Sequence, residues 1–388
     1  MTALAKLLPL LAPDDDLSLA LDHLEREHRI VTGTSLPKLT LPPTRDPPDV
    51  DLAFAPPLPP HPLLPPTLFD RLQSLVTTNL AAPALSGTYL LQQSRDRKGK
   101  QRERYSTSLD DLDVLLDGGF CAGELIDVCG PRRSGRTVFA LYVVLLHLLL
   151  HADRRAAWLD PGGSFDAYRC LAILRDVLVP RLYALGGSFA GDDGKEPAPQ
   201  DLAIATLDRL AVSSPRKSGD ALDVLAAETE ATGKTETLSM VVIDSLDTLV
   251  GGEALSSGSA QGQAKLIAFM RRMGTLARST TAPLAVLVVT TAIPLASSST
   301  PRGPPPAAGG QPPPLSSLPL PEPLRPSLGP TFAYLVDLSV LLTPAEPLFG
   351  PVDGKGRTVL EVTRNSRGDK GGTVVFKLEG GVDLEQLV

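Results

Sequence analysis

Between residues 125 and 290 the chain alternates short, wholly apolar runs with longer stretches whose apolar positions recur every three or four residues. The short runs predict strands at 125–129, 156–159, 202–206, 240–244 and 284–290. The longer stretches predict helices at 136–151, 165–178, 221–231 and 264–277. Strands buried on both faces read as continuous apolar runs, and strand–helix alternation argues for a largely parallel sheet. In the last helix Leu266, Phe269, Met270, Met273 and Ala277 fall on one face, the spacing of a core contact. Beyond 330, strands at 332–342, 357–363 and 373–378 follow without long helices between them, which predicts an antiparallel edge. The first thirty residues carry apolar stripes at Leu7, Leu8, Leu11, Leu17, Leu19, Leu21 and Leu24, with Asp14, Asp15 and Asp16 as a break and cap. A short helix is expected over 68–80.

Composition changes this picture at two places. The chain has 38 prolines in 388 residues, roughly double the usual share, and they gather in 36–66 and 294–330. Pro-Pro steps exclude a continuous helix or a central strand there. The organisation that follows is a small helical segment (1–35), a Pro-rich linker (36–66), a short helix and basic linker (67–104), and an α/β core (105–388) interrupted by a Pro/Ser/Gly-rich insertion (294–330). The net charge of −7 argues against a general nucleic-acid binder, so any DNA contact must be local. Cys121, Cys129 and Cys170 form no disulfide framework or zinc knuckle and fit a reducing intracellular compartment. Nothing reads as a secretory signal, and the apolar run 138–150 is too short to span a bilayer.

Candidate chemistry begins where the first core strand ends. Gly130, Pro131, Arg132, Arg133, Ser134, Gly135, Arg136 and Thr137 read as a phosphate-binding loop between a strand and a helix, with arginine in place of the usual lysine. Glycines let backbone N–H groups converge on one anion, and the helix N-terminus adds partial positive charge. Thr137 supplies a hydroxyl for Mg²⁺. Arg136 is a planar fork where lysine would be a point charge. Downstream, Met240-Val241-Val242-Ile243-Asp244-Ser245 is an apolar strand ending in an acid, as a Walker B strand does. Its carboxylate would hold Mg²⁺ beside the loop. The nucleotide-binding set is therefore residues 130–137 and Asp244, with Thr137 and Asp244 on the metal. His147 and His151 have the i, i+4 spacing of a metal pair but no third ligand, so one packed and one surface histidine is the expected outcome.

On these residues the chain resembles the RecA-type recombinase family, and within it the eukaryotic recombinase paralogues of the type labelled D. The resemblance covers about 105–380. It is carried by the stretch from Ser106 to Glu124, by Leu159-Asp160-Pro161-Gly162-Gly163-Ser164-Phe165, by Val242-Ile243-Asp244-Ser245, by Thr275-Leu276-Ala277-Arg278, and by Ser327-Leu328-Gly329-Pro330. It implies a RecA-like P-loop NTPase core that binds ATP and Mg²⁺ and acts in the nucleus in homologous recombination. Other recombinase paralogues and the main recombinase would be its partners, and single-stranded or branched DNA would be met through the complex, with no membrane involved. The family's active members carry a water-activating glutamate where this chain has Gly162, and a γ-phosphate-sensing glutamine where it has Ala292. With Arg136 these departures imply poor hydrolysis, since phosphoryl transfer depends on positioned charge. A DNA-dependent ATPase using another carboxylate, with Glu124 and Asp127 nearby in sequence, and a nucleotide-independent scaffold remain as alternatives.

Two segments keep several readings. The basic run Arg95, Arg97, Lys98, Lys100, Arg102 and Arg104 suits a nuclear-import signal, a phosphate patch or a solvated linker. The 294–330 insertion takes the position of the family's second DNA loop. It offers only Arg302 and Arg325 as cations, poor material for single-strand binding, and its proline runs suit partner docking.

Overall fold

The computed structural model describes residues 67–68, 86–88, 102–189, 195–230, 237–254, 260–278, 283–294, 315–329, 331–353, 356–368 and 371–387. The chain divides into two units, 1–99 and 100–388, and the account below concerns the second. The expected helices in 1–35 and 69–80, the Pro-rich linker, most of the basic run and the middle of the insertion lie outside the described residues.

A two-strand ribbon opens this unit: β1 (Arg104–Tyr105) pairs antiparallel with β2 (Phe120–Cys121), bracketing the short helix α1 (Asp110–Leu115). Asp113 holds the bracket by accepting from the backbone and hydroxyl of Thr107, at 2.8 and 2.6 Å, and from Ser106 Oγ at 2.6 Å. The main sheet then alternates as the sequence predicts. In chain order come β3 (Leu125–Gly130), α2 (Arg136–Leu150), β4 (Arg154–Leu159), α3 (Ala167–Ala172), a π-helical turn (Ile173–Leu178) and α4 (Val179–Ala184). Next are α5 (Pro199–Leu207), β5 (Leu210–Ser213), α6 (Ser218–Glu230), β6 (Thr237–Asp244), α7 (Leu246–Ala254), α8 (Ala260–Ala277) and β7 (Ala285–Pro294). The C-terminal part adds β8 (Leu324–Pro326), a 3₁₀ turn (Phe332–Leu335), β9 (Leu338–Pro344), α9 (Glu346–Asp353), β10 (Arg357–Asn365), β11 (Thr373–Glu379) and β12 (Asp383–Gln386).

The strand order is β12-β11-β10-β9-β3-β7-β6-β4-β5, with β8 paired to β7. Strands β9, β3, β7, β6, β4 and β5 run parallel; β10 and β11 follow β9 antiparallel, as expected, and β12, which the sequence reading did not include, extends that edge. Period-2 alternation divides the strand side chains between two cores. Ile126, Val128, Trp158, Met240, Val242 and Leu287 pack with α2 and α3 to α5 on one face. Leu125, Leu159, Val241, Ile243, Val286 and Val288 pack with α6 to α8 on the other. The predicted stripe of α8 lies wholly in this second core. Helix α2, apolar almost all round, is buried from Val138 to Leu149. Its carbonyl end is closed by Arg209, which donates to the carbonyls of Leu148, His151 and Arg154 at 2.6, 2.6 and 3.0 Å. A cation at that end also complements the helix dipole.

The structure corrects three expected elements. Residues 202–206, read as a strand, belong to helix α5, and the strand is β5, four residues long. A short apolar run does not distinguish strand from helix; here Pro199 starts a helix, and Ala203 and Thr206 supply its buried face. The strand expected over 332–342 begins only at Leu338. Its first part is the 3₁₀ turn that buries Phe332, and Asp337 accepts from the Leu125 N–H at 3.0 Å just before the strand starts. The helix expected over 165–178 begins at Ala167 and turns π-helical at Ile173. Pro180 has no N–H to return to residue 176, which favours a widened turn ahead of it.

Candidate nucleotide site

Strand β3 delivers the phosphate-type loop at the C-terminal end of the parallel sheet, where open α/β sheets place their ligands. Two glycines are required by packing. A Cβ on Gly130 would lie 2.4 Å from the Leu342 carbonyl oxygen and 2.5 Å from Ser134 Oγ. Gly135 has φ +86°, and a Cβ there would lie 2.2 Å from Leu378. Arg132 and Arg133 are exposed, and Arg133 has φ +66°. Ser134 is buried, and its hydroxyl has no hydrogen-bond partner among the described residues. Helix α2 starts at Arg136 with no acidic residue in its first turn, so its first N–H groups, which have no carbonyl one turn back, face outward as anion donors.

Thr137 and Asp244 come together although 107 positions separate them in the chain. Both side chains line one narrow cleft beside the loop. Burial raises the Asp244 pKa above the ordinary carboxylate value, and Thr137 and Arg136 partly oppose that rise. A hydroxyl and a carboxylate side by side at a phosphate loop are the oxygen donors Mg²⁺ takes. The loop, the helix start, Thr137 and Asp244 therefore fit a magnesium nucleotide. A narrow cleft leads from them between Leu141, Trp158, Phe165 and Arg169. Trp158 packs on Phe165 at 5.7 Å between ring centroids.

Arg136 lies differently from a phosphate-reaching lysine. Its guanidinium donates to the Thr290 carbonyl oxygen and, at 3.1 Å, to the Thr291 hydroxyl, both at the end of β7. A polar network surrounds that contact. Asp127, fully buried in β3, accepts from the hydroxyls of Thr290 at 2.6 Å and Ser339 at 2.8 Å. Burial pushes the Asp127 carboxyl up to about 7, against the hydrogen bonds of Thr290 and Ser339 and the charge of Arg136. Asp247, at the start of α7, accepts from the Thr291 N–H at 2.6 Å and from the Ser327 hydroxyl.

The two positions at which the resemblance implies missing hydrolytic groups both carry small residues. Gly162 lies in a turn organised by Asp160, which accepts from the N–H groups of Gly162 and Phe165 at 3.1 and 2.6 Å. Ala292 is buried in β7, opposite Pro326 of β8. Neither carboxylate weighed as a substitute is at the loop. Glu124 precedes β3 at its opposite end, where it pairs with Arg367 at 2.7 Å, and Asp127 is held by Thr290 and Ser339. His147 is buried and bonded to Ser239 at 2.6 Å, with desolvation pushing it down to about 3. His151 is half-buried, and no cluster of three or more His, Cys, Asp or Glu side chains that could hold a metal ion occurs among the described residues. No described helix is long and apolar enough to cross a membrane.

Sequence reasoning passed over Asp247, Thr290, Thr291, Trp158 and Arg169. The spacing of Asp244 and Asp247, three apart across a strand-to-helix junction, was the one available signal for Asp247. The others gain their meaning from cross-strand register.

No family model matches the chain. DNA repair protein RAD51 homolog 4 from Bos taurus is 28% identical over 178 residues, covering 45% of this chain and 48% of that protein. DNA repair and recombination protein RadB from Thermococcus kodakarensis is 41% identical over 64 residues, 16% of this chain and 27% of RadB. RadB from Pyrococcus furiosus is 36% identical over 67 residues, 17% and 28%. The chain thus spans about half or less of the length of the curated relatives it matches. A crystal structure of the RadB recombinase superposes with a TM-score of 0.47 at 19% identity, covering 73% of this chain and all of that one.

Proposed function

We propose that this chain, a member of the RecA-type recombinase family, is an ATP-binding recombinase paralogue that assists homologous recombination and DNA repair as a mediator subunit, with weak or absent ATP hydrolysis. One observation carries the reading. Thr137 and Asp244 line one cleft at the phosphate loop, while the nearby turn that would carry a water-activating acid carries Gly162. The loop N–H groups and the α2 N-terminus hold phosphate, and Thr137 and Asp244 hold Mg²⁺, which when bound would neutralise phosphate charge. No side chain of the turn at Gly162 orients an attacking water. ATP then acts as a structural ligand that stabilises the folded state by linkage. The partners are other recombinase paralogues and the main recombinase, DNA is reached through that assembly, and residence is nuclear.

The test uses the chain's single tryptophan, Trp158, which lines the cleft with Thr137 and Asp244. Mg-ATP titrated into the full-length protein should change its fluorescence, and Thr137→Ala should abolish the change. Single-turnover hydrolysis, with and without single-stranded DNA, should be at background. Turnover lost on Asp244→Asn would instead establish a DNA-dependent ATPase. Full assembly with partner subunits by a Thr137→Ala protein that binds no nucleotide would establish a scaffold.

A further inference from the structure

The cation that begins helix α2 is already engaged by the protein itself. The Arg136 guanidinium donates to the Thr290 carbonyl oxygen and, at 3.1 Å, to the Thr291 hydroxyl. Neither acceptor is free to follow it toward a ligand. Thr290 stands in the parallel ladder level with Cys129 of β3, and its hydroxyl is given to Asp127 at 2.6 Å. The Thr291 N–H is given to Asp247 at 2.6 Å. Charge holds the guanidinium as well as geometry. Arg136 favours the ionised forms of buried Asp127 and of Asp244, while Asp247 opposes the first and Asp160 the second. Moving Arg136 away would leave these carboxylates less compensated, which is costly inside a protein.

The other groups at the loop sort by the phosphate they serve. In a loop of this kind the backbone N–H groups cradle the α- and β-phosphates, and the cation at the helix start reaches the β- and γ-phosphates. The first set is intact here: the loop backbone, the α2 N-terminus, and Thr137 and Asp244 for Mg²⁺. The second is committed to β7. Ala292 follows the residue level with Gly130 and carries no polar group, and neither does Gly162. A terminal phosphate would instead bring negative charge toward Asp160 and Asp244, both buried. Arg132, Arg133 and Arg169 are exposed, where water screens their charge.

We infer that this is a nucleoside-diphosphate site: the loop and the Mg²⁺ pair hold the β-phosphate, the γ-phosphate of ATP gains no partner, and ADP binds at least as tightly as ATP. The inference rests on the nucleotide reading above and names the ligand which that site favours. For Arg136 to serve a γ-phosphate it must give up both bonds to β7. A γ-phosphate left unserved adds charge beside two carboxylates. On either route the triphosphate gains nothing over the diphosphate. The protein then registers that a nucleotide is bound, and not whether it has been hydrolysed.

The experiment titrates Mg-ADP, Mg-ATP and Mg-AMP into the full-length protein, followed by Trp158 fluorescence and by the rise in melting temperature that a bound ligand produces. In the parent, the dissociation constant for ATP should be equal to that for ADP or larger. AMP, which lacks the β-phosphate, should bind about a hundredfold more weakly, the loss expected for two charge-assisted hydrogen bonds. Arg136→Lys puts a compact point charge in reach of the γ-phosphate and should lower the ATP-to-ADP ratio of dissociation constants about tenfold. Thr291→Val removes one of the two bonds that hold Arg136 and keeps the N–H that Asp247 takes; it should lower the ratio roughly threefold, and Thr291→Ser should restore it. Cooperative thermal unfolding of the unliganded variants confirms that they fold. A parent that binds ATP about tenfold or more tightly than ADP, AMP binding equal to ADP binding, or a ratio that neither Arg136→Lys nor Thr291→Val moves would each overturn the proposal while leaving the nucleotide reading in place. A folded parent that binds none of the three nucleotides would overturn the nucleotide reading itself, and this inference with it.

Discussion

Replacing Arg136 with alanine should weaken the fold before any nucleotide is added. The guanidinium makes two hydrogen bonds, to the Thr290 carbonyl and the Thr291 hydroxyl, and is partly buried. Hydrogen bonds from a charged donor contribute about 1.5–3 kcal/mol each. Taking the low end for partial exposure, Arg136→Ala should cost about 3 kcal/mol. At roughly 2–4 °C per kcal/mol for a domain of this size, the melting temperature of the nucleotide-free protein should fall by about 6–12 °C. Arg136→Lys keeps a charge near Asp127 and should lose about half as much. The same bonds must break if Arg136 is to reach phosphate, so its present placement opposes ATP binding by about 3 kcal/mol, or two orders of magnitude in affinity. Lysine, reaching phosphate at less cost, should bind Mg-ATP more tightly while melting lower. Thermal melts without nucleotide and fluorescence titrations with it measure both effects. A melting temperature for Arg136→Ala within about 2 °C of the parent, alongside lost ATP binding, would refute the argument and make Arg136 a phosphate ligand only.

Asp127 makes stability depend on pH. Its carboxyl rises from 3.8 to about 7 in the folded protein, so the native state holds the proton that the unfolded chain gives up. Stability is greatest below pH 4 as far as this group is concerned and declines between about pH 4 and 7, by up to about 4 kcal/mol. His147, pushed down to about 3, gives the opposite slope below its ordinary value. Urea melts of Asp127→Asn against the parent isolate the first effect, and parallel pH profiles for the two would show that Asp127 is not its source. Gly162→Glu should fold, since a Cβ there meets no atom closer than 3.5 Å, and should raise single-turnover ATP hydrolysis by on the order of 10²; no rise would mean that the missing acid is not what limits the rate. Gly135→Ala should lower stability by about 2–4 kcal/mol in chemical denaturation, because it strains φ +86° and drives a Cβ into Leu378; a change under about 0.5 kcal/mol would show that Leu378 yields freely.

The parallel core was legible because β3, β6 and β7 are buried on both faces and read as continuous apolar runs. The antiparallel edge was legible because only the short, kinked α9 lies between β9 and β10, and no helix between β10 and β11, too little chain to carry a parallel crossover. Of the candidate site, the loop and Asp244 were visible as local patterns. The direction taken by Arg136 was not, since its partners are 154 and 155 residues further on. Asp127 was weighed from the sequence only as a substitute carboxylate lying within a strand. Its meaning comes from Thr290 and Ser339, which only the pairing of β3 with both β7 and β9 brings to it. Strand β5 was displaced onto its preceding helix because four residues of half-exposed edge leave less apolar pattern than the helix beside them.

The fastening of the Pro/Ser/Gly-rich segment has a consequence for how this chain can diverge. Its near end leaves β7, where Asp247 grips the Thr291 N–H, and the same carboxylate takes the Ser327 hydroxyl at its far end. Further along the sheet, buried Glu361 of β10 accepts from the Ser316 hydroxyl at 2.5 Å and the Ser317 N–H at 2.8 Å. Two acids on different elements thus hold both ends against the sheet. Closing a longer connection between fixed ends costs only about 0.6 kcal/mol per doubling of its length. The stretch between Pro294 and Leu315 is therefore a place where evolution, or an engineer inserting a reporter or an affinity tag, can add and delete residues without disturbing the strands that carry it.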